Sequence, residues 1–132
     1  MARLSIVELF DNNLSGTLPW QLGLCPELSI LALFSNRISG SIPLQLGNLT
    51  ALQMLLLYEN VMTGTLPSEL GRQLKLQVLE LYNNDLSGSI PSEYSQLASL
   101  EYVLLSSNRL SGSLSSSFEL WAGLKQMNLS NN

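Results

Sequence analysis

Hydrophobic residues recur along this chain with a fixed period of 24 residues. Leucine opens six successive segments, at positions 4, 28, 52, 76, 100 and 124, with no insertion or deletion between them. From each start the sequence follows the pattern L-x-x-L-x-L-x-x-N-x-L, with replacements such as Val7 and Ile38 at single positions. A strict repeat of this length indicates a solenoid, in which each repeat buries its apolar positions against its neighbours.

The alternation within each segment predicts a short parallel β-strand. Residues such as Val7 and Leu9 point into the core, and the intervening side chains lie on a concave face. The asparagine that follows each strand is expected to bond backbone groups of its own coil and the next. Recurrent Gly16 and Pro19 equivalents predict the next two bends. Apolar columns starting at Leu22 and Cys25 close the convex side. Gln73 breaks the second of these, and the sequence leaves open whether Leu74 takes its place through a local shift.

A finer motif lies between the strands and the convex side. Leu14–Pro19, Ile38–Pro43, Met62–Pro67 and Leu86–Pro91 each read apolar residue, Ser/Thr, Gly, Ser/Thr, Leu/Ile, Pro. Together with Leu46-Gly47-Asn48-Leu49, these segments resemble the plant-specific class of leucine-rich repeats. That class forms the ectodomains of plant receptor-like kinases and receptor-like proteins, and the polygalacturonase inhibitors.

The resemblance implies a fold of the α/β class that is rich in β-structure. It implies a right-handed solenoid with a parallel sheet on the concave face, a second short ladder at the Ser-Gly-x-Ile-Pro segments, and loops with short helical turns on the convex side. We expect one domain over residues 1–132, with five full repeats and a truncated sixth. Family members usually carry cysteine-paired caps, which this sequence lacks, so we expect an excerpt of a longer protein or, alternatively, a chain that stacks end to end.

The composition excludes several classes of function. Leucine fills 32 of 132 positions, charged residues are only 12% of the chain, and the net charge is −4. The six Lys and Arg residues are scattered, so no basic stripe for nucleic acid or an anionic membrane is expected. Histidine is absent, which removes the usual general base and the Ser-His and Cys-His pairs. We therefore expect no catalytic residue, metal site or cofactor within this chain, and no apolar run is long enough for a transmembrane helix.

The candidate binding residues lie on the predicted concave face. One column is aromatic and is called the aromatic ladder below: Phe10, Phe34, Tyr58 and Tyr82. A second column on the same face contains Ile30, Met54, Val78 and Tyr102, and a polar column beside the ladder supplies Glu59 and Asn83 as acceptors. Large apolar patches commonly mark interaction sites, so we predict a peptide or protein ligand here. The alternative is that the ladder only stabilises the sheet by cross-strand stacking.

Location and modification follow from the resemblance. It implies an extracellular or cell-surface protein, most simply part of a receptor-like kinase ectodomain, with any kinase activity in a domain outside these residues. An inhibitor of a cell-wall-degrading enzyme and a self-associating structural solenoid are alternatives. Asn48 and Asn13 begin Asn-x-Ser/Thr sequons and are the predicted glycosylation sites.

A rival function rests on hydroxyl side chains. The residue after each repeat glycine is always Ser or Thr, which gives a column of Thr17, Ser41, Thr65, Ser89 and Ser113. The residue before that glycine forms a second column, and ten hydroxyls spaced by strand geometry would make a flat array. Such an array resembles the ice-binding faces of repeat antifreeze proteins. The alternative is that these hydroxyls bond the backbone of their own turns.

Overall fold

The leucine columns set the architecture, because each must be covered by the equivalent residue of the next coil. The computed structural model describes residues 3–132, apart from the side chain of Ser117. Its largest sheet has six parallel strands: β1 (Ile6–Glu8), β3 (Ile30–Ala32), β5 (Met54–Leu56), β7 (Val78–Glu80), β9 (Tyr102–Leu104) and β11 (Gln126–Asn128). Ile6 pairs with Ile30 and Met54 with Val78, so every residue lies opposite its equivalent 24 positions later.

The second predicted ladder is present as two small parallel sheets. One contains β2 (Ser15–Thr17), β4 (Arg37–Gly40) and β6 (Val61–Met62), and the other contains β8 (Ser87–Gly88) and β10 (Arg109–Leu110). A bridge between Thr65 and Ser87 joins the two. Thr17 pairs with Ser39, so these strands pair residues 22 positions apart rather than 24. The chain therefore shifts by two residues between its two ladders.

The predicted helical turns on the convex side are 3₁₀ helices. They are η1 (Trp20–Leu24), η2 (Leu44–Asn48), η3 (Ser68–Arg72), η4 (Ser92–Gln96) and η5 (Ser116–Leu120). An extended proline, with φ between −61° and −71°, precedes each of the first four. The coils approach closely here: a Cβ built on Gly47 would lie 2.6 Å from the Glu69 carbonyl oxygen. Glycine at positions 23, 47 and 71 allows the first four convex turns to stack.

The apolar columns form one continuous core. Leu28, Leu52, Leu76 and Leu100 are fully buried, and so is Tyr94, whose hydroxyl donates to the Pro67 carbonyl oxygen at 3.1 Å. At the ends, where one neighbour is missing from residues 3–132, Leu9 and Met127 are 49% and 43% exposed. Burial therefore depends on a coil on each side.

The recurrent asparagine connects each coil to the preceding one, rather than to the next one as expected. The Asn60 Nδ2 donates to the carbonyl oxygens of Leu33, Leu57 and Tyr58 at 3.0–3.3 Å. Its Oδ1 accepts from the Ile38 N–H at 2.8 Å. Asn36, Asn84, Asn108 and Asn132 repeat the arrangement. One buried side chain thus satisfies backbone groups of two coils at the strand bend.

Gln73 itself, and not Leu74, occupies the buried position in the convex core. Gln73 is 1% exposed, and Leu74 is 61% exposed. The Gln73 Nε2 donates to the Leu46 carbonyl oxygen, whereas its Oε1 has no hydrogen-bond partner among residues 3–132. The backbone keeps the turn geometry of the other coils, and the Gln73 N–H donates to the Leu70 carbonyl oxygen. The backbone therefore determines that the side chain at position 73 is buried, although it is polar.

Asn60→Ala should reduce the free energy of unfolding by about 2–4 kcal/mol, because four hydrogen bonds are lost in a buried setting. Asn12→Ala is the matched control, since Asn12 is exposed and bonds only carbonyls of its own coil. Urea denaturation measures both. Equal losses in the two variants would contradict the role given to the connection between coils.

Gln73→Leu should stabilise the fold by about 1 kcal/mol, because it removes a buried acceptor that has no donor. The Leu46 carbonyl oxygen still accepts a hydrogen bond from the Leu49 N–H, so the substitution leaves no buried backbone acceptor without a partner. Gln96→Leu, at an exposed position, should change stability little. Thermal denaturation compares the two, and a lower melting temperature for Gln73→Leu would refute the expectation.

Candidate binding surface on the concave sheet

The aromatic ladder is a continuous stack of rings across the first four coils. Ring centroids of Phe10 and Phe34 are 4.5 Å apart, and those of Phe34–Tyr58 and Tyr58–Tyr82 are 4.4 Å apart. The planes differ by 5–11°, so the rings are nearly parallel. This follows from the 24-residue register, which places equivalent side chains one strand spacing apart. The ring edges, rather than the faces, are presented to solvent.

The other predicted residues lie on the same sheet. Ile30, Met54, Val78 and Tyr102 are paired in register on β3, β5, β7 and β9, and all four are half-buried. The Lys125 Nζ lies 5.9 Å from the Tyr102 ring centroid and 2.6 Å from a Glu101 carboxylate oxygen. The structure thus brings the aromatic and aliphatic columns together as one face, with a salt bridge at its carboxy-terminal end.

The polar column occupies a left-handed turn that the sequence pattern did not reveal. Asp11, Ser35, Glu59, Asn83, Ser107 and Asn131 have φ between 53° and 57°. Asparagine and aspartate tolerate this conformation well, but Ser35 and Glu59 adopt it only because the N–H groups on either side bond the next coil. Glu59 and Asn83 are exposed at the edge of the ladder, and the Ser35 hydroxyl donates to a Glu59 carboxylate oxygen at 2.6 Å.

Glu80 is a site residue that the sequence analysis did not select. Its Cα pairs with Leu56 on one side and Leu104 on the other, so the carboxylate stands between apolar neighbours. Burial raises the pKa of Glu80 above its usual 4.5. The signal in the sequence was an acidic residue in a column that is otherwise Ala or Leu in the interior coils.

The two tyrosines share this environment. Burial, reinforced by the charges of Tyr82, Glu80 and Glu59, raises the pKa of Tyr58 to about 12. The pKa of Tyr82 is raised first by burial and then by the same two carboxylates. Glu59 and Glu80 therefore both act on the same pair of phenol groups, from the two columns that border the ladder.

The hydroxyl columns proposed for ice binding have structural contacts. Ser39, Ser87 and Ser111 donate to the carbonyl oxygens of glycines in the preceding coil at 3.2–3.5 Å. The Thr17, Ser41, Thr65, Ser89 and Ser113 column is exposed, but its first four side chains lie over the glycines of the next coil. A Cβ built on Gly40 would be 2.8 Å from the Thr17 Cγ2. These columns pack one coil on another.

Other predicted features have the following positions. Asn48 ends η2 and is exposed, and Asn13 is exposed after the first strand bend. Glu8 and Glu80 are separated by β3 and β5, roughly 14 Å at about 4.8 Å per strand, too far for the paired carboxylates of a glycosidase. In residues 3–132, no three potential ligand side chains are grouped as a metal ion requires. No helix in that range is long and apolar enough to cross a bilayer.

Comparison with known proteins identifies the family. The Leucine Rich Repeat family model matches residues 27–49, 75–97 and 99–121, just over half of the chain. The chain belongs to the leucine-rich repeat family, and the predicted solenoid is confirmed. A comparison with curated protein sequences gave no match.

Several of the similar solved structures are plant receptors. The chain is 40% identical to the plant peptide hormone receptor RGFR1 in complex with RGF2, over 98% of its own length, with a TM-score of 0.97. It is 38% identical, with a TM-score of 0.97 over 98% of its length, to the ectodomain of the Arabidopsis thaliana membrane receptor kinase GASSHO1/SCHENGEN3 in complex with CASPARIAN STRIP INTEGRITY FACTOR 2. The Arabidopsis receptor kinase HAESA, in complex with the peptide hormone IDA and the co-receptor SERK1, is 35% identical over 97%, with a TM-score of 0.94. The chain spans 21%, 16% and 22% of these three chains.

Glu80 makes the stability of the protein depend on pH. Burial raises the pKa of Glu80, so the folded state favours the protonated carboxyl group. The stability that this protonated group contributes is complete below pH 4.5 and is lost as pH rises through the raised pKa. Glu80→Gln should remove this pH dependence. The variant should therefore become increasingly more stable than the wild type from pH 4 to pH 7. Urea denaturation across this range measures it.

The matched control for this titration is Glu8→Gln, in the same column but exposed on β1. The pH dependence assigned to Glu80 is supported if it exceeds that of this variant. Parallel curves for the wild type and Glu80→Gln would show that the environment of Glu80 resembles that of an exposed carboxylate.

Proposed function

We propose that this chain is a non-catalytic peptide- or protein-binding module of a plant receptor ectodomain, and that its concave face is the binding surface. The observation that carries the proposal is the aromatic ladder, whose four stacked rings run across four coils of an open sheet. Aromatic residues on rigid elements supply contact area at little conformational cost, and they are enriched among residues that dominate binding energy.

The receptors similar to this chain support the class of ligand. RGFR1 is bound to RGF2, and HAESA to the peptide hormone IDA and the co-receptor SERK1. This chain corresponds to about a fifth of such a receptor, so the proposal concerns a segment of the binding surface. Phe10, Phe34, Tyr58 and Tyr82 would form its centre, Ile30, Met54, Val78 and Tyr102 one flank, and Glu59 and Asn83 the other.

Location and assembly are part of the same proposal. A receptor ectodomain functions at the cell surface, where Asn48 and Asn13 are accessible for glycosylation. Binding needs neither metal nor cofactor. The strand edges of β1 and β11 are open within residues 3–132 and would accept further repeats or a second copy. No observation favours ice binding or enzyme inhibition over this function.

The double variant Phe34→Ser/Tyr58→Ser tests the binding surface. Phage-displayed random dodecapeptides are selected on the immobilised wild-type chain, and the tightest is synthesised and titrated by fluorescence anisotropy. The variant should bind this peptide at least about 30-fold more weakly, or about 2 kcal/mol, as expected for the loss of aromatic anchors. Both residues are half-exposed, so stability should fall only modestly.

The matched control is Trp20→Ser/Leu44→Ser. These exposed apolar residues lie on η1 and η2, away from the concave sheet, and their loss should leave the peptide affinity within about twofold. Unchanged affinity in Phe34→Ser/Tyr58→Ser, or an equal loss in both double variants, would mean that the ladder only supports the sheet.

A further inference from the structure

The concave face carries an uncompensated negative charge around the aromatic ladder. Glu8, Asp11, Glu59 and Glu80 occupy the two columns that border it, and across the first four coils this face has no lysine or arginine. The salt bridges formed by residues 3–132 are Arg109–Asp85 and Lys125–Glu101, and neither includes these four carboxylates. The face thus carries four of the ten acidic residues of the chain without a counter-charge.

Two of the carboxylates are positioned by neighbouring residues of the sheet and its turns. Glu80 is half-buried, with Leu56 and Leu104 as its partners on the adjacent strands. Glu59 follows Tyr58 in a left-handed turn, and the Ser35 hydroxyl holds one of its oxygens at 2.6 Å. Both are therefore partly preorganised, and a ligand group that reaches them has little side-chain entropy to remove.

Glu59 and Glu80 flank the same part of the ladder. Glu59 lies in the column after the rings and Glu80 in the column before them, with Tyr58 and Tyr82 between. The charges of both carboxylates act on both phenol groups. The arrangement is a floor formed by the edges of two stacked rings, with an anionic group on each side.

We propose that the ligand of the concave face is a basic peptide, with an arginine or lysine side chain lying along Tyr58 and Tyr82 and its cationic head between Glu59 and Glu80. This inference rests on the proposed function and specifies its ligand. The methylene stem packs on the ring edges and on Leu56, as long basic side chains do on apolar surfaces. The head supplies the counter-charge that Glu80 lacks in its partly desolvated position.

The two carboxylates favour arginine over lysine. A guanidinium presents donors on several edges and binds more than one carboxylate oxygen at once, whereas an ammonium acts as a point charge. An acidic or neutral peptide would leave Glu80 desolvated and unpaired, so the same geometry discriminates against it. The face therefore selects its ligand by charge as well as by apolar contact.

The dodecapeptide selection described above provides the probe. Peptides recovered on the wild-type chain should contain arginine and lysine at least about threefold more often than the input library. In the tightest peptide, replacing the critical arginine by uncharged citrulline should weaken binding at least tenfold. Glu59→Gln/Glu80→Gln should weaken the arginine peptide by a similar factor and leave the citrulline peptide within about twofold, because the two changes remove the same contact.

A second double variant separates this contact from general attraction. Glu27→Gln/Glu93→Gln removes the same charge from exposed positions off the concave face, and it should leave the arginine peptide within about twofold. Equal weakening by both double variants would overturn the inference in favour of non-specific attraction. Glutamine is isosteric with glutamate, and the melting temperature of each variant confirms that it is folded.

The outcomes also distinguish this inference from the proposed function. Peptides that depend on Phe34 and Tyr58 but show no enrichment in basic residues would refute the basic ligand and leave the binding surface intact. A selection that yields no peptide dependent on the ladder would refute both.

Discussion

The hydrogen bonds of the buried asparagine hold the coils in register, and the concave surface depends on that register. Asn60 reaches back 27 residues to the Leu33 carbonyl oxygen and accepts from the Ile38 N–H, while it also bonds two carbonyls of its own coil. A slip of one residue between coils would break these bonds and turn the leucines of a strand outwards. Because the contact is buried and repeated, each coil fixes the position of the next.

A fixed register also places equivalent side chains of successive coils next to one another. In the aromatic column it produces four rings stacked at 4.4–4.5 Å. Hydrophobicity alone would not align these rings. In the neighbouring column it sets Glu80 between Leu56 and Leu104, where burial raises the pKa of its carboxyl group. The same constraint therefore creates both the apolar platform and the unpaired charge beside it.

The repeat predicted the features that depend on equivalence between coils. The strands, the asparagine contacts, the convex turns and the membership of the aromatic ladder follow from the 24-residue period, because in-register stacking converts a sequence column into a spatial one. Features that depend on differences between columns were not predictable. The left-handed turn was hard to recognise because Ser35 and Glu59, which do not favour positive φ, share its column with Asp and Asn residues. The burial of Gln73 reflects backbone geometry that overrides the side chain. The sequence was sufficient to predict which face carries the site. The partial burial of Glu80 could be recognised only once its neighbours on the adjacent strands were known.

The contact between Thr17 and Gly40 means that a repeat is not a self-contained unit. The side chain after one glycine occupies the space that the next glycine leaves open, and the two residues lie 23 positions apart, in different coils. Their sizes are linked: a larger residue at position 40 demands a smaller one at position 17. Recombination or engineering that exchanges whole 24-residue blocks would divide this pair at each boundary. At a junction between two parents, the residue after the glycine of the last coil must therefore fit the glycine position of the first coil that follows, and restarting the leucine period alone does not ensure this.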